Sequence, residues 1–86
     1  MDPERIEFPA DYPIKVVART LPTLRERIDA IFARHFGPQV AHGVGERQSA
    51  QGQFFSLTYV PRIDNEDQLR ALHADLTALD GVMMVL

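Results

Sequence analysis

The spacing of the apolar residues is the feature that most constrains how this chain folds. It switches between a period of two, which indicates a strand with one buried face, and a period near 3.6, which indicates an amphipathic helix. In chain order the pattern predicts a strand, a helix, two strands, a second helix and a last strand. The 86 residues are enough for one domain of this kind and leave little for a second.

Three segments alternate between apolar and polar or mixed side chains, as strands with one buried face do, and a fourth, at residues 82–86, is a short apolar run. In the first, Ile14 and Val16 lie on one side, and Lys15 and Val17 lie on the other. The third is the richest in aromatic and β-branched residues, which favour strands. The predicted strands are residues 12–20, 39–48, 53–61 and 82–86.

Two segments carry apolar stripes at helical spacing. Thr23 and Glu26 at the start of the first match a capping box, and Gly37 permits the chain to leave the helix. Asp64 or Asn65 caps the start of the second. The stripes are Leu24, Ile28, Ile31 and Phe32 in the first helix and Leu69, Leu72, Leu76 and Leu79 in the second.

This order of elements predicts an α+β fold of ferredoxin-like βαββαβ topology. Right-handed connections place both helices on one face of a single four-stranded antiparallel sheet of order 4-1-3-2, which is a two-layer sandwich. We expect residues 1–10 to form a loosely ordered tail, because Pro3 and Pro9 interrupt regular pairing. Residues 11–86 are then a single domain.

The composition excludes several classes of protein. The absence of cysteine excludes disulfides, a thiol nucleophile and a cysteine-bound zinc ion. A net charge of −3 argues against a protein that coats nucleic acid. No apolar run approaches the roughly 20 residues of a membrane-spanning helix. Because residues 1–5 are acidic and no apolar stretch follows them, we expect no secretory signal. We therefore expect a cytoplasmic protein that binds neither membrane nor nucleic acid.

The sequence lacks the residue spacings and loop motifs that are typical of metal sites and enzyme active sites. The histidines His35, His42 and His73 fall on different predicted elements, without the i, i+4 spacing of a metal-binding pair. Neither a phosphate-binding glycine loop nor a nucleophile elbow is present. We expect a non-enzymatic protein with no catalytic residue, no metal and no cofactor.

The helices of such a fold cover only one face of the sheet, and strand parity leaves several apolar side chains on the other. A contiguous apolar patch on a small protein is typical of a contact surface. We expect a protein partner, a small ligand or a second copy in a homodimer to bind there, or at the edge strand formed by residues 82–86. The candidate surface consists of Lys15, Val17, Arg19, Phe54, Ser56, Met83 and Val85.

Several short motifs, taken in order, resemble a known family. They resemble the YbeD-like family of small bacterial proteins of uncharacterised function, over nearly the whole chain. The resemblance implies a ferredoxin-like fold close to ACT-type regulatory domains, and a regulatory or protein-interaction module with no catalytic residue to carry over. The chain departs from the family at Ala18, where glycine is common, and in residues 40–47. The motifs are Phe8-Pro9, Ile14-Lys15-Val16, Leu21-Pro22, Ser49-x-x-Gly52-x-Phe54-x-Ser56 and Met84-Val85-Leu86.

Two alternative functions stay open at this point. Acylphosphatases share the fold and size and use an arginine after the first strand with an asparagine; here Arg19 and the single asparagine, Asn65, are the candidates. RNA-recognition motifs share the topology and stack bases on aromatic residues of the third strand. Only Phe54 of this chain lies on the uncovered face in that strand, and no aromatic residue of the first strand joins it.

The acylphosphatase alternative is open to a direct test. We expect both the wild-type chain and Arg19→Ala to release phosphate from an acyl phosphate only at the uncatalysed rate, because the sequence contains no phosphate-binding loop. A wild-type rate above background that is lost in Arg19→Ala would favour the enzyme instead.

Overall fold

The alternating segments form antiparallel sheets and the apolar stripes form two helices, in a computed structural model that describes residues 7–86. The predicted α+β class is confirmed. The strands are β1 (Ala10–Asp11), β2 (Ile14–Arg19), β3 (Gly45–Gln48), β4 (Phe54–Tyr59), β5 (Arg62–Ile63) and β6 (Val82–Val85), and the helices are α1 (Leu24–Phe36) and α2 (Glu66–Thr77).

The described strands belong to two sheets, which corrects the prediction of a single sheet. The larger sheet has four strands in the order β3-β4-β2-β6, which is the predicted order 4-1-3-2 counted from its other edge, and the smaller sheet pairs β1 with β5. Pro13 separates β1 from β2, and Pro61 separates β4 from β5. Because proline has no backbone N–H to donate, the ladder is interrupted at these positions. Beyond them β1 and β5 resume pairing in the register that β2 and β4 set.

The start of α1 differs from the prediction, whereas its end agrees. Thr23 has a left-handed φ of 65° and makes no side-chain capping bond, so the capping box with Glu26 does not form. A side-chain cap requires an extended residue at this position. Leu24 instead donates its N–H to the carbonyl of Leu21 at 3.3 Å. The helix ends at Gly37, whose φ of 92° suits glycine.

The start of α2 is capped as predicted. Asn65 Oδ1 accepts a hydrogen bond from the Gln68 backbone N–H at 2.9 Å, and Gln68 Oε1 accepts one from the Asp64 N–H at 2.8 Å. These bonds satisfy donors that the helix itself leaves unpaired.

The second predicted strand is shorter than the pattern indicated. Of residues 39–48 only Gly45–Gln48 form a strand, and Pro38–Ala41 form a short 3-10 helix directly after α1. The Gln39 side chain donates to the carbonyl of Phe36 at 3.0 Å. This bond links the start of the 3-10 helix to the end of α1, and the 3-10 turn takes the place of the first half of the predicted strand.

A single apolar layer lies between the two helices and one face of the larger sheet. Phe32 of α1 stacks on Tyr59 of β4, with ring centroids 3.7 Å apart, and the Tyr59 hydroxyl donates a hydrogen bond to Asp29. Burial, together with that hydrogen bond, raises the pKa of Tyr59 well above its usual range. Both helices contribute to this one cluster, so they cover the same face. The buried core consists of Ile14, Val16, Ala18, Leu24, Ile28, Ile31, Phe32, Phe55, Leu57, Tyr59, Ile63, Leu72 and Leu76.

A β-bulge interrupts the regular alternation of β6. Val82 lies opposite Ala18 and Met84 lies opposite Val17, so Met83 is one residue more than the ladder with β2 requires. The extra residue is left without a partner in the ladder.

The bulge corrects two predicted orientations in β6. Val85 lies opposite Val16 and packs against the core, although strand parity predicted it on the uncovered face. Met84, which parity predicted in the core, lies on the uncovered face and is 51% exposed. The cause is the inserted residue, because it turns each following side chain to the opposite face of the sheet.

The N-terminal part of the chain is described from Glu7 onward. Phe8 packs against the core, and β1 follows it. The predicted tail over residues 1–10 includes residues 1–6, which lie outside the described residues. That tail and the single domain over residues 11–86 stay predictions.

The one-sided core predicts that the same substitution lowers the free energy of unfolding much more at one leucine than at another. Leu72 of α2 is 1% exposed, and Leu86 is 61% exposed. We expect Leu72→Ala to lower the free energy of unfolding by about 2–5 kcal/mol, because it removes buried methyl groups and leaves a cavity. Leu86→Ala, the matched control, should change it by less than about 0.5 kcal/mol. Urea unfolding followed by circular dichroism measures both, and similar losses in the two variants would contradict this core.

Candidate functional site

The face of the larger sheet that the helices leave uncovered is built from every second residue of its strands. Opposite residues of neighbouring strands point to the same side, so the register arranges these side chains in rows across the sheet. We call this surface the open face. Its rows are Gly45, Thr58, Lys15 and Leu86; Arg47, Ser56, Val17 and Met84; and Phe54 with Arg19.

The residues nominated from the sequence divide into a main group and two exceptions. Met83 occupies the bulge and is 56% exposed, and Val85 faces the core as described above. The others lie together on the open face, on the adjacent central strands β2 and β4. They are Lys15, Val17, Arg19, Phe54 and Ser56.

Three further residues of the open face were missed by the sequence reasoning. Arg47 of β3 lies opposite Ser56; the predicted strand over residues 39–48 contained it, but the residues of that strand were not assigned to a face. Alternation counted from Gly45 would have found it. Met84 and Leu86 were missed because of the bulge, for which the run Val82–Val85 gives no signal.

The open face carries positive charge, although the whole chain has a net charge of −3. Lys15, Arg19 and Arg47 are exposed cations, and the rows contain no acidic side chain. Within residues 7–86, none of the three takes part in an ion pair. The acid beside Arg47, Glu46, points to the helix side, where it pairs with Arg25 of α1. The cations of the open face are therefore available to an external anion.

A shallow groove runs along the β3 side of the open face. It has a volume of about 240 Å³. Phe54 is half-buried at one end, where its N–H donates to Ser49 Oγ at 3.1 Å and its carbonyl accepts from the Ser49 N–H at 2.9 Å. These two bonds fix the backbone of Phe54 at the turn. The groove is lined by Lys15, Val17, Arg47, Gln48, Ser49, Phe54, Phe55 and Ser56.

The β6 side of the open face is apolar. Met84 and Leu86 are 51% and 61% exposed, and Val17 of the adjacent strand is half-buried beside Met84. The open face therefore changes across its width from cationic at β3 to apolar at β6, with both characters present on β2.

A cluster of charged side chains on the opposite side of the molecule links the two helices. Asp75 of α2 accepts hydrogen bonds from His35 Nε2 and from Arg34 Nη2 of α1, each at 2.7 Å. These two bonds, with that from His35 the larger influence, hold the pKa of the Asp75 carboxyl below its ordinary value. The cluster ties the two helices together, and no local pattern predicts it because His35 and Asp75 are 40 residues apart.

A second cavity lies beyond the end of α1, on the helix side, with a volume of about 470 Å³. Its charged lining is of mixed sign, from Asp11, Asp64 and Arg62, with His35 and His42 beside them. Within residues 7–86 no three side chains of the metal-binding types converge. The helices of the same part of the chain are not long and apolar enough to cross a membrane.

Comparisons with known sequences identify a family. The model of a family described as "Protein of unknown function (DUF493)" matches residues 3–86. A UPF0250 protein of Hahella chejuensis is 34% identical over 82 residues, which cover 95% of this chain and 90% of that protein. A UPF0250 protein of Pseudomonas paraeruginosa is 36% identical over 87 residues, which cover 100% of this chain and 94% of that protein.

Two solved structures have a similar fold at low sequence identity. Protein HP0495 from H. pylori matches with a TM-score of 0.74 at 18% identity, covering 99% of this chain and 91% of that one. The ACT domain from GTP pyrophosphokinase of Chlorobium tepidum matches with a TM-score of 0.65 at 20% identity, covering 90% of this chain and 97% of that one. Both fit the ferredoxin-like fold.

The paired carboxyl of Asp75 predicts a pH-dependent contribution to stability. Because its pKa is lower in the folded chain than its ordinary value, the stabilisation is present above about pH 4 and is lost as the pH falls below it. We expect Asp75→Asn to unfold at lower urea than the wild type at pH 7, and the gap to narrow as the pH is lowered below about 4. Asp80→Asn, whose carboxylate is in no ion pair of the described residues, is the control. A gap of constant size across this range would contradict the assignment.

Proposed function

The chain belongs to the DUF493 family of proteins of unknown function, together with the UPF0250 proteins of other bacteria, and on this premise we propose that it is a non-enzymatic regulatory module. In this proposal the module works by contact, and its open face binds another protein. The proposal covers the residues Lys15, Val17, Arg19, Phe54 and Ser56, to which the structure adds Arg47 and Met84 as neighbours.

The observation that carries the proposal is the composition of the open face. An antiparallel sheet with one solvated face ordinarily presents polar side chains there. This face instead presents Met84 and Leu86 to water beside Lys15, Arg19 and Arg47, which lack ion partners within the described chain. Covering such a surface removes apolar area from water and gives the cations counter-charges.

The open face is a better contact surface than either edge of the larger sheet. The β3 edge is four residues long, fully exposed and contains Glu46 and Arg47, and charged residues protect an edge from pairing. The β6 edge is equally short and contains the bulge at Met83, which also disfavours an added strand.

The fold of one structural neighbour supports a regulatory role. That neighbour is the ACT domain from a GTP pyrophosphokinase, and the motifs of this chain resemble a family close to ACT-type regulatory domains. This support is an analogy at the level of the fold, so the site itself has to carry the function.

The positions of Arg19 and Asn65 weigh against an acylphosphatase. Arg19 pairs with Phe54 at one end of the β2–β4 ladder. Asn65 follows β5 beyond the other end, and its side-chain oxygen is already engaged by the Gln68 N–H. The two groups therefore do not converge on one phosphate.

Site-specific photo-crosslinking tests the proposed function. Ser56, at the centre of the open face, is replaced by a photo-reactive amino acid, and the protein is irradiated in extract of its own bacterium. The matched control carries the same group at Glu26, an exposed residue of α1 on the helix side. We expect a discrete protein adduct from position 56 that survives nuclease treatment and is absent from position 26. Equal adducts at both positions, no adduct, or an adduct that nuclease removes would contradict the proposal.

A further inference from the structure

We infer that the segment of the partner that lies on the open face is an amphipathic helix with an acidic flank. This inference rests on the proposed function and names the chemistry of the partner. It follows from the way in which charge and apolar area are divided across the width of the sheet.

The charge of the open face requires an acidic flank. Arg47 on β3 and Lys15 and Arg19 on β2 surround Val17 and Ser56, and no carboxylate side chain lies among them in the described rows. A partner that brought cations or neutral groups here would bury these charges without counter-charges, which is unfavourable. Carboxylates placed over β4, between Arg47 on β3 and the two cations on β2, are positioned to pair with all three.

The β6 side of the open face requires an apolar stripe. Met84, Leu86 and Val17 form a continuous apolar strip along β6 and its neighbour. Methionine is flexible and adapts to the shape of an apolar partner. A single element that is acidic along one side and apolar along the adjacent side matches both halves of the open face.

The dimensions of the open face fit a helix. Strands lie about 4.8 Å apart, so β3 to β6 span about 14 Å between their axes, and a helix is about 10 Å across. Lys15 and Arg19 are four residues apart on one strand, about 13 Å. Two turns of a helix rise about 11 Å, so carboxylates two turns apart come within reach of both flexible cations. A helix placed here would add a third layer to the fold.

Within residues 7–86, a second copy of this chain does not supply such a helix. The apolar stripes of α1 and α2 are already buried in their own core. The large apolar residues that are exposed in the described chain lie outside both helices: Leu21, Val60, Met83, Met84 and Leu86. The partner is therefore a different protein.

The open face is less well matched to a nucleic acid. Single-stranded RNA is held by bases stacked on several aromatic residues, whereas Phe54 is the one aromatic residue in the described rows and is half-buried. Met84 and Leu86 would contact polar phosphate or sugar groups, which offer them no apolar surface to pack against. The net charge of −3 also repels a polyanion at longer range.

Titration with designed peptides tests the inference, with NMR amide shifts of the labelled protein as the readout. The probe peptide is a helix with leucines at i, i+3, i+4 and i+7 and glutamates along one flank. One control peptide carries lysine in place of each glutamate, and another has the probe's composition in scrambled order. A single-stranded oligonucleotide of equal charge is the third. We expect the probe to bind and to shift Val17, Ser56 and Met84, and to bind at least about tenfold more tightly than each control.

Variants of the protein show whether the open-face cations are responsible for binding the probe peptide. Arg47→Glu should weaken binding of the probe peptide by about tenfold. Arg27→Glu, a reversal at an exposed arginine of α1 that is also outside the described ion pairs, should leave binding unchanged. The two-dimensional amide spectrum of each variant confirms that it is folded.

The possible outcomes separate the two proposals. Equal binding of the scrambled peptide, tighter binding of the oligonucleotide, or equal effects of the two reversals would overturn the acidic helix. No binding of the probe, together with a protein adduct at position 56, would overturn the acidic helix and leave the proposed function standing. No binding and no adduct would remove both.

Discussion

The packing of both helices against the same side of the larger sheet is the constraint on which the rest of the structure depends. It concentrates the core into one layer, in which the ring of Phe32 lies on that of Tyr59 and the Tyr59 hydroxyl is bonded to Asp29. Neither helix has an apolar stripe left for a second layer, because the buried side chains of both helices already pack in this one. The open face is the direct consequence, since no element of the described chain remains to cover it.

The distribution of charge follows the same division. On the helix side, several cations are matched by carboxylates: Arg25 pairs with Glu46, and Arg34 and His35 share Asp75. On the open face the cations have no such partners in the described part of the chain. A net negative chain thus keeps a locally positive surface, and this contrast is what makes the surface selective for an acidic partner rather than only adhesive.

Local signals in the sequence were sufficient for the elements but not for their details. Gly37 ends α1 because its own backbone adopts a conformation that favours glycine, and Asn65 begins α2 because its own side chain caps the helix. Thr23 looked equally clear, yet its left-handed backbone prevents the cap. The second sheet was not foreseen, because the pattern does not show that pairing resumes beyond Pro13 and Pro61.

The open face was predictable on the central strands and unpredictable at the edges. Simple alternation placed Lys15, Val17 and Ser56 correctly, since β2 and β4 pair in unbroken register. It placed Val85 on the wrong side, because a bulge depends on how the strand meets its neighbour and leaves no mark in four consecutive apolar residues. The positive character of the surface became evident only when the register of β3 brought Arg47 opposite Ser56.

The accessibility of the open face can be measured at a single side chain. Lys15 is the only lysine of the chain and is exposed on this face. The rate at which an amine-acylating reagent modifies Lys15 therefore measures how accessible the open face is. Mass spectrometry of the peptide that contains Lys15 gives this rate. If the open face is a partner-binding surface, Lys15 reacts more slowly in intact cells than in the purified protein at the same pH and reagent concentration, and Arg47→Glu restores its reactivity in cells. Equal reactivity of Lys15 in cells and in the purified protein would contradict the account.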